Sequence, residues 1–250
     1  MCGAYREPVQ QAGRRQREAD LQDHEERRET AQSEADLTDS GLRYDLTVPL
    51  SRFYSNNAND LPTPFKALQM GSVWRADRPQ RGRFRQFVQC DIDILGEPTC
   101  LAEIELILAT TTLLGKLNFK DFKVRINERR ILKAMASYSG FTEDQYDQVF
   151  IILDKMDKIG WDGVKAELIE SGYPEANVEK YVTMFDEMEK AEDALAYLSE
   201  KLSGVLEEDV IENLRTIRTS VEATAASQFQ LVFDPTLVRG MSYYTGTIFE

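Results

Sequence analysis

Hydrophobic and polar residues alternate along the first part of this chain in a way that predicts β-strands. Residues 42–48 are apolar at every second position, which is the period of a half-buried strand. A second strand is predicted at 66–75, and the alternation returns at 86–95. A helix at about 101–117 and a short strand at 122–126 follow, so this region reads as strands and turns with one helix.

A helical period replaces the alternation from about residue 128. Two apolar stripes recur at helical spacing, one from Val178 to Met188 and one from Val210 to Val221, and core packing explains both. Residues 142–145 form a capping box, and Gly172 is suited to end a helix. Strand character returns at 229–233 and then at 237–240 and 243–250. A helical block between sheet segments predicts an inserted subdomain.

The predicted fold class is α+β, an antiparallel sheet flanked by helices with a helical insertion. The expected parts are a first section of the core at 37–140, the insertion at 141–226 and a return to the core at 227–250. Residues 1–36 are dominated by Arg, Glu, Gln and Asp. Such a segment buries too little apolar surface to offset its ordering entropy, so we expect it to be disordered or a loosely held helix.

The composition of the chain adds no element to this prediction, but it argues against several classes of site and segment. The net charge of −13 argues against a general basic surface for nucleic acid, although local clusters can still be basic. No apolar run is long enough to span a membrane or to act as a signal peptide. The three cysteines form no CxxC pair and lie far from His24, so we expect no metal site. Scattered thiols are typical of a reducing cytoplasm.

An arginine-rich loop is predicted between the strands at 66–75 and 86–95. A guanidinium binds phosphate oxygens through two parallel hydrogen bonds, so such a loop is suited to phosphate or nucleic acid. A solvated charged loop is the alternative. Arg75 ends a strand and should be held rigidly, whereas Arg81 should lie at the tip. The loop contains Arg75, Arg78, Arg81, Arg83 and Arg85.

Two further groups of polar residues are candidates for ligand binding. In the strand at 86–95 we expect Val88, Cys90, Ile92 and Ile94 to face the core, and Phe87, Gln89, Asp91 and Asp93 to face the other way. That polar face is either a binding surface or the ordinary wet face of a sheet. Residues 239–246 combine Arg239, Tyr243 and Tyr244 with two glycines, which suits either a ligand wall or a turn with surface tyrosines.

Taken together, these segments resemble histidyl-tRNA synthetases. Residues 74–87 are similar to motif 2 of class II synthetases, residues 42–47 to the amino-acid-binding loop, and residues 237–250 to the family's histidine motif. The resemblance implies that histidine and ATP give histidyl-adenylate and pyrophosphate, and that the histidyl group then passes to tRNA(His). It also implies Mg²⁺ with the ATP, a homodimer in the full-length family and a cytoplasmic location.

The resemblance also implies roles for individual residues. Arg75 would bind the α-phosphate of ATP, Arg83 the outer phosphates and Phe87 the adenine, with Arg239 as an additional catalytic arginine. Arg78 and Arg81 would be candidates to contact tRNA. The residues expected at the histidine are Asp45, Thr47 and Gln89 at the α-amino group, Asp93 and Tyr244 at the imidazole nitrogens, and Arg239 and Tyr243 nearby. Asp45 and Asp93 stand where longer acids are common, and Ser242 where aspartate is common.

Two features of the family pattern have no counterpart in the sequence. Nothing in residues 1–36 resembles the motif 1 of the dimer interface, and no motif 3 follows residue 250, so we expect this chain alone to activate histidine poorly. The alternative function is that of the histidine-binding paralogue that regulates ATP phosphoribosyltransferase in histidine biosynthesis. Such paralogues tend to lose motif 2 arginines, which are all present here. An acidic scaffold without a small-molecule site would leave the polar strand faces unexplained.

Overall fold

The structure, a computed structural model, describes residues 40–238 and 244–250, which fall into two compact units. The first unit ends at Pro98, and the second runs from Thr99 to Glu250. The charged segment expected at 1–36 lies outside the described residues, and so do Arg239 and Tyr243. Each unit has its own helices and strands and is described by itself.

Between residues 40 and 98, the first unit combines one α-helix with a two-stranded antiparallel sheet. Helix α1 is Thr47–Asn57, a 3-10 turn follows at Ala58–Asp60, and the strands are β1 (Phe65–Trp74) and β2 (Gln86–Leu95). The strands pair along their whole length, with Phe65 opposite Leu95 and Trp74 opposite Gln86. The strands predicted at 66–75 and 86–95 are confirmed.

The strand predicted at 42–48 is wrong, because helix α1 begins at Thr47. The residues before it do contact β1: the carbonyl oxygen of Arg43 accepts a hydrogen bond from the Trp74 amide at 2.9 Å. Asp45 then turns the chain, since its carboxylate accepts from the Thr47 amide at 3.2 Å. The apolar alternation therefore reflects the burial of Leu46 beside a turn and the first turn of a helix.

The apolar face of the β1–β2 sheet is exposed, contrary to the prediction that it faces the core. Leu68, Met70 and Val88 are 67%, 72% and 65% exposed, whereas the side chains on the polar face are half-buried. The alternating pattern predicts the strand correctly, but it does not reveal which of the two faces other elements cover.

The described residues of the second unit, 99–238 and 244–250, form a three-stranded sheet and helices. The strands are β3 (Phe122–Glu128), β4 (Phe229–Phe233) and β5 (Thr247–Phe249). The helices are α2 (Leu101–Lys116), α3 (Arg129–Ser139), α4 (Tyr146–Leu153), α5 (Met156–Glu170), α6 (Glu175–Lys190), α7 (Ala194–Lys201) and α8 (Glu208–Thr224). Within 40–238 and 244–250, no helix has the length and apolarity needed to cross a membrane.

The sheet of the second unit has the order β4-β3-β5 and mixes both pairing types. Strands β3 and β4 are parallel, with Phe122 opposite Phe229, and their rings stack at a centroid distance of 5.6 Å. Strands β3 and β5 are antiparallel, with Glu128 opposite Thr247. A purely antiparallel sheet was expected, but the long helical connection from β3 to β4 permits the parallel pair. The predicted α+β fold class is confirmed.

The helical pattern of the second unit follows the predicted signals. The capping box at Thr142 is formed, and Gly172 follows the end of α5 with a φ of 89°. Both apolar stripes are buried and pack into one core, which confirms them as core residues. They consist of Val178, Tyr181, Phe185 and Met188 on α6 and Val210, Leu214, Ile217 and Val221 on α8.

Replacing Tyr181 with phenylalanine should raise the free energy of unfolding by about 1 kcal/mol, since a buried hydroxyl without a partner carries an uncompensated desolvation cost. The Tyr181 side chain is fully buried, and its hydroxyl has no hydrogen-bond partner among the described residues. The measurement is urea unfolding of both proteins. Tyr197→Phe is the control, because the Tyr197 hydroxyl donates to Glu187 at 2.5 Å and its loss should destabilise. Equal destabilisation by both changes would contradict the prediction.

Candidate functional site

A tight turn closes the arginine-rich loop of the first unit. The backbones of Gln80 and Arg83 exchange two hydrogen bonds of 3.2 and 2.9 Å, which leaves Arg81 and Gly82 as the turn residues. Gly82 has a φ of 78°, a conformation that glycine adopts without steric cost. Arg81 therefore lies at the exposed tip, as expected, and Arg78 is also exposed.

Arg83 lies on the returning side of this turn and is paired with an acid. Its guanidinium contacts the Asp77 carboxylate through Nη2 at 3.0 Å and Nε at 3.1 Å. The Arg83 side chain is still 58% exposed, so the pair is in contact with water. An exposed ion pair contributes little free energy, and an incoming phosphate can therefore compete with Asp77 for Arg83.

Arg75 is held much more firmly than the arginines of the turn. Its amide donates to the Arg85 carbonyl oxygen at 2.8 Å, immediately beyond the last pair of the β1–β2 ladder. Its guanidinium lies 4.4 Å from the ring centroid of Tyr44 and 5.1 Å from that of Phe87. Contact with two aromatic faces restricts the rotamers of the side chain. Its Nε donates to the Tyr44 carbonyl oxygen at 3.5 Å, so the terminal guanidinium nitrogens are the ones that can bind an anion.

The polar face of the β1–β2 sheet carries the predicted row of residues. Phe87, Gln89, Asp91 and Asp93 all lie half-buried on one face of β2. Cross-strand neighbours on β1 complete this face: Gln69 lies opposite Asp91, and its amide nitrogen donates to the Asp93 carboxylate at 3.2 Å.

Gly71 lies opposite Gln89 on the same face, and its lack of a side chain makes room for the guanidinium of Arg43. A Cβ at this position would lie 2.3 Å from a guanidinium nitrogen of Arg43, so only glycine permits the approach. The Nε atom of Arg43 is fixed by the Ser72 carbonyl oxygen at 2.7 Å. Sequence reasoning gave no role to Arg43 or Gln69, because only the strand register places them on this face.

Three carboxylates, those of Asp45, Asp91 and Asp93, lie near one another and near the guanidinium of Arg75. Burial raises the pKa of Asp91 above its ordinary value, the negative charges of Asp93 and Asp45 raise it further, and Arg75 opposes the shift. Mutual repulsion of this kind is relieved when a cation binds. The face is therefore suited to a ligand that carries a positive group, with Arg75 able to accept a negative one.

Gln89 offers an unused acceptor to such a ligand. Its side-chain oxygen is buried and accepts no hydrogen bond within the described part of the chain. A buried polar atom without a partner is costly, and a ligand N–H that donates to it recovers that free energy. Asp45 and Thr47 lie at the start of α1, where the Asp45 carboxylate is already bonded to the Thr47 amide.

The remaining predicted site residues belong to the second unit. Tyr244 is 42% exposed and lies three residues before β5. Arg239 and Tyr243 lie outside the described residues. Cys90 and Cys100 are free thiols, and no group of three His, Cys, Asp or Glu side chains in residues 40–238 and 244–250 could hold a metal ion.

Comparisons with known proteins decide the family. A family model described as histidyl-tRNA synthetase matches residues 22–250. The chain belongs to the histidyl-tRNA synthetase family. It is 45% identical over 218 residues to a histidine--tRNA ligase of Leifsonia xyli, an alignment that covers 86% of this chain and 50% of that protein. The resemblance drawn from the sequence motifs is thus confirmed.

Solved structures of histidyl-tRNA synthetases have the same fold. The crystal structure of histidyl-tRNA synthetase from Nostoc sp. PCC 7120 matches with a TM-score of 0.72 and 31% identity, over 84% of this chain and 49% of that one. An ATP phosphoribosyltransferase regulatory subunit/histidyl-tRNA synthetase from Bacillus halodurans matches with a TM-score of 0.68 at 22% identity, a likeness of fold alone, over 83% of this chain and 53% of that one. The chain spans about half the length of these relatives.

Proposed function

We propose that the protein acts as a histidine--tRNA ligase, which activates histidine with ATP and transfers the histidyl group to tRNA(His). The observation that carries the proposal is the polar face of the β1–β2 sheet, where Asp45, Asp91 and Asp93 lie near Arg75. Histidine and ATP together present an ammonium group and phosphates, which are the charges that this face is suited to bind. Membership of the histidyl-tRNA synthetase family supports the same reaction.

On this proposal the acidic groups hold the amino acid. Asp45, Thr47 and Gln89 bind the α-amino group of histidine, and the buried oxygen of Gln89 gains the donor that it lacks. Asp93 binds one imidazole nitrogen. Selectivity follows, because an amino acid without ring nitrogens would leave buried polar atoms unpaired. Tyr244, with Arg239 and Tyr243, is assigned to histidine on the sequence motif.

The arginines and Phe87 hold the nucleotide. In the activation step a carboxylate oxygen of histidine attacks the α-phosphorus, and the bond to pyrophosphate breaks. Arg75 stabilises the negative charge that develops on the α-phosphate, because its guanidinium is already oriented. Phe87 stacks on adenine, Arg83 exchanges Asp77 for the outer phosphates, and Arg239 adds a second positive charge.

Mg²⁺ is proposed only as the companion of ATP. Because no group of three ligating side chains in the described residues could hold an ion, the phosphates themselves would provide most of its ligands. We therefore assign it no step. Arg78 and Arg81, exposed on the turn, are proposed to contact the phosphates of tRNA. A homodimer and a cytoplasmic location are proposed from the family.

The direct test is calorimetric titration of the chain with histidine. Asp93→Asn should weaken histidine binding by at least about tenfold, because it removes a charged acceptor from a half-buried site. The control is Asp60→Asn, which removes the same charge from an exposed position in the same unit. Phenylalanine should not compete. Absence of histidine binding, or equal effects of the two variants, would overturn the proposal.

A titration with ATP then separates the ligase from the regulatory paralogue of ATP phosphoribosyltransferase. A ligase should bind ATP as well as histidine, whereas a protein that only senses histidine should not respond to ATP. The arginines of the loop favour the first result. The guanidinium of Arg75 is held in place, and a guanidinium held in this way is suited to bind phosphate.

A further inference from the structure

Three consecutive polar residues are buried at the junction of β3 and α3 in the second unit. Asn127, Glu128 and Arg129 are 0%, 1% and 2% exposed. Two of them are charged, and a buried charge is costly unless it is paired and hydrogen-bonded. Their charged partners lie nearby on helices, since Glu128 pairs with Arg130 and Arg129 lies 3.8 Å from Asp147. Each of the three residues also forms a hydrogen bond with one end of the loop between β4 and β5.

The end of the loop that follows β4 is held by two of these residues. The side-chain nitrogen of Asn127 donates to the Leu237 carbonyl oxygen at 3.0 Å, while its oxygen accepts from the Glu128 amide at 2.8 Å. A guanidinium nitrogen of Arg129 donates to the Val238 carbonyl oxygen at 3.4 Å. Leu237 and Val238 are buried there without belonging to a strand, although strand character was expected.

The other end of the loop, before β5, is held by the same three-residue segment. The Arg129 amide donates to the Gly246 carbonyl oxygen at 2.9 Å. The Thr247 hydroxyl donates to Oε2 of Glu128 at 3.0 Å. The other oxygen of Glu128, Oε1, accepts from the amide of Arg130 at 3.2 Å and from its Nε at 3.3 Å, so each carboxylate oxygen has its own partner.

We propose that Asn127, Glu128 and Arg129 are positioning residues, which fix both ends of the β4–β5 loop and thereby place Tyr244 for histidine. The role of Tyr244 rests on the proposed function. Helix capping alone accounts for only part of the arrangement. Glu128 is the N-cap of α3 and satisfies the Arg130 amide, but capping requires neither its contact with Thr247 nor the contacts of Asn127 and Arg129 with residues 237 and 238.

Two variants separate positioning from capping. Glu128→Asp keeps a favourable N-cap and the negative charge, but it is one methylene shorter and cannot hold both Arg130 and Thr247. Thr247→Val removes only the hydroxyl that reaches Glu128, and Thr247→Ser restores it. The matched control is Thr111→Val in α2, which makes the same change at a hydroxyl that donates within its own helix, to the Ile107 carbonyl oxygen at 2.8 Å.

The first measurement is amide hydrogen exchange of the peptides that contain Tyr244, made on the whole chain without ligand. Glu128→Asp and Thr247→Val should each speed exchange there by about tenfold, since each removes a hydrogen bond to a charged group. Thr247→Ser and Thr111→Val should leave it unchanged. Unchanged exchange in both Glu128→Asp and Thr247→Val would overturn the proposal, whatever the chain does with histidine.

The second measurement is the histidine dissociation constant of the same variants. It should rise by about tenfold in Glu128→Asp and Thr247→Val, with rescue by Thr247→Ser, because a Tyr244 that is no longer held in place binds histidine from only part of its population. Faster exchange with unchanged histidine affinity would overturn the link to Tyr244. If no variant and no parent chain binds histidine, the proposed function fails, and the exchange result still decides whether these residues hold the loop.

Discussion

Replacing Arg75 with alanine should weaken ATP binding by about a hundredfold, because the change removes paired charge-assisted hydrogen bonds to a phosphate. The expected loss is larger than for any other arginine of the loop. Arg75 is the one whose guanidinium is enclosed by two rings and whose backbone is bonded across the hairpin. The measurement is calorimetric titration with ATP, with melting temperatures recorded for every variant.

Two further variants make this result interpretable. Arg75→Lys keeps the charge but cannot form two parallel bonds, so it should fall between the parent and Arg75→Ala. Arg85→Ala removes the same charge from an exposed side chain of the same loop and should change ATP affinity less than about threefold, the size of a screened surface effect. Similar losses in Arg75→Ala and Arg85→Ala would mean that net charge, rather than a site at Arg75, controls ATP binding.

Replacing Phe150 with alanine should lower the free energy of unfolding of the second unit by about 3–5 kcal/mol, the usual effect of a large cavity in a core. Phe150 on α4 is fully buried, and its ring centroid lies 4.8 Å from the guanidinium of Arg129. The variant therefore removes both apolar contacts and a favourable neighbour of a buried charge.

The fluorescence of Trp161 can follow this unfolding, since its ring lies 4.7 Å from Phe185 in the same unit. A Trp74→Phe background removes the signal of the first unit. Ile151→Ala is the control: Ile151 is the next residue of α4 and is 39% exposed, so its loss should cost less than about 1.5 kcal/mol. Equal costs for the two variants would contradict the assignment of Phe150 to the core.

Local sequence patterns predicted the strands of this fold well, but they did not predict which faces of those strands other elements cover. The strands β2 and β4 match their predicted ranges, because alternation and β-branched or aromatic residues are local properties. The same alternation at 42–48 failed, since a turn at Asp45 and a helix from Thr47 can bury Leu46 equally well. Periodicity also separated the two faces of β2, but the covered face is set by elements elsewhere in the chain.

In the candidate site too, features within one sequence segment could be predicted, whereas contacts between distant segments could not. The arginine-rich loop and the polar row of β2 could be predicted, because each lies within one segment of sequence. The buried residues at the end of β3 could not, since Asn127 finds its partner 110 residues later and Glu128 finds Thr247 after 119. A polar run at a strand end ordinarily predicts an exposed turn, and only tertiary structure reveals that this one is enclosed.

The parallel pairing of β3 with β4 also determines the order in which the second unit can form. Arg125 and Asp234, joined by a 2.7 Å ion pair beside these strands, are 109 residues apart in the chain. Closing so long a loop is entropically unfavourable until the helices between the strands have shortened it. We therefore expect α3 to α8 to fold early and the sheet to close in the slow, rate-limiting phase, so the most sensitive kinetic probes are substitutions at the β3–β4 contact.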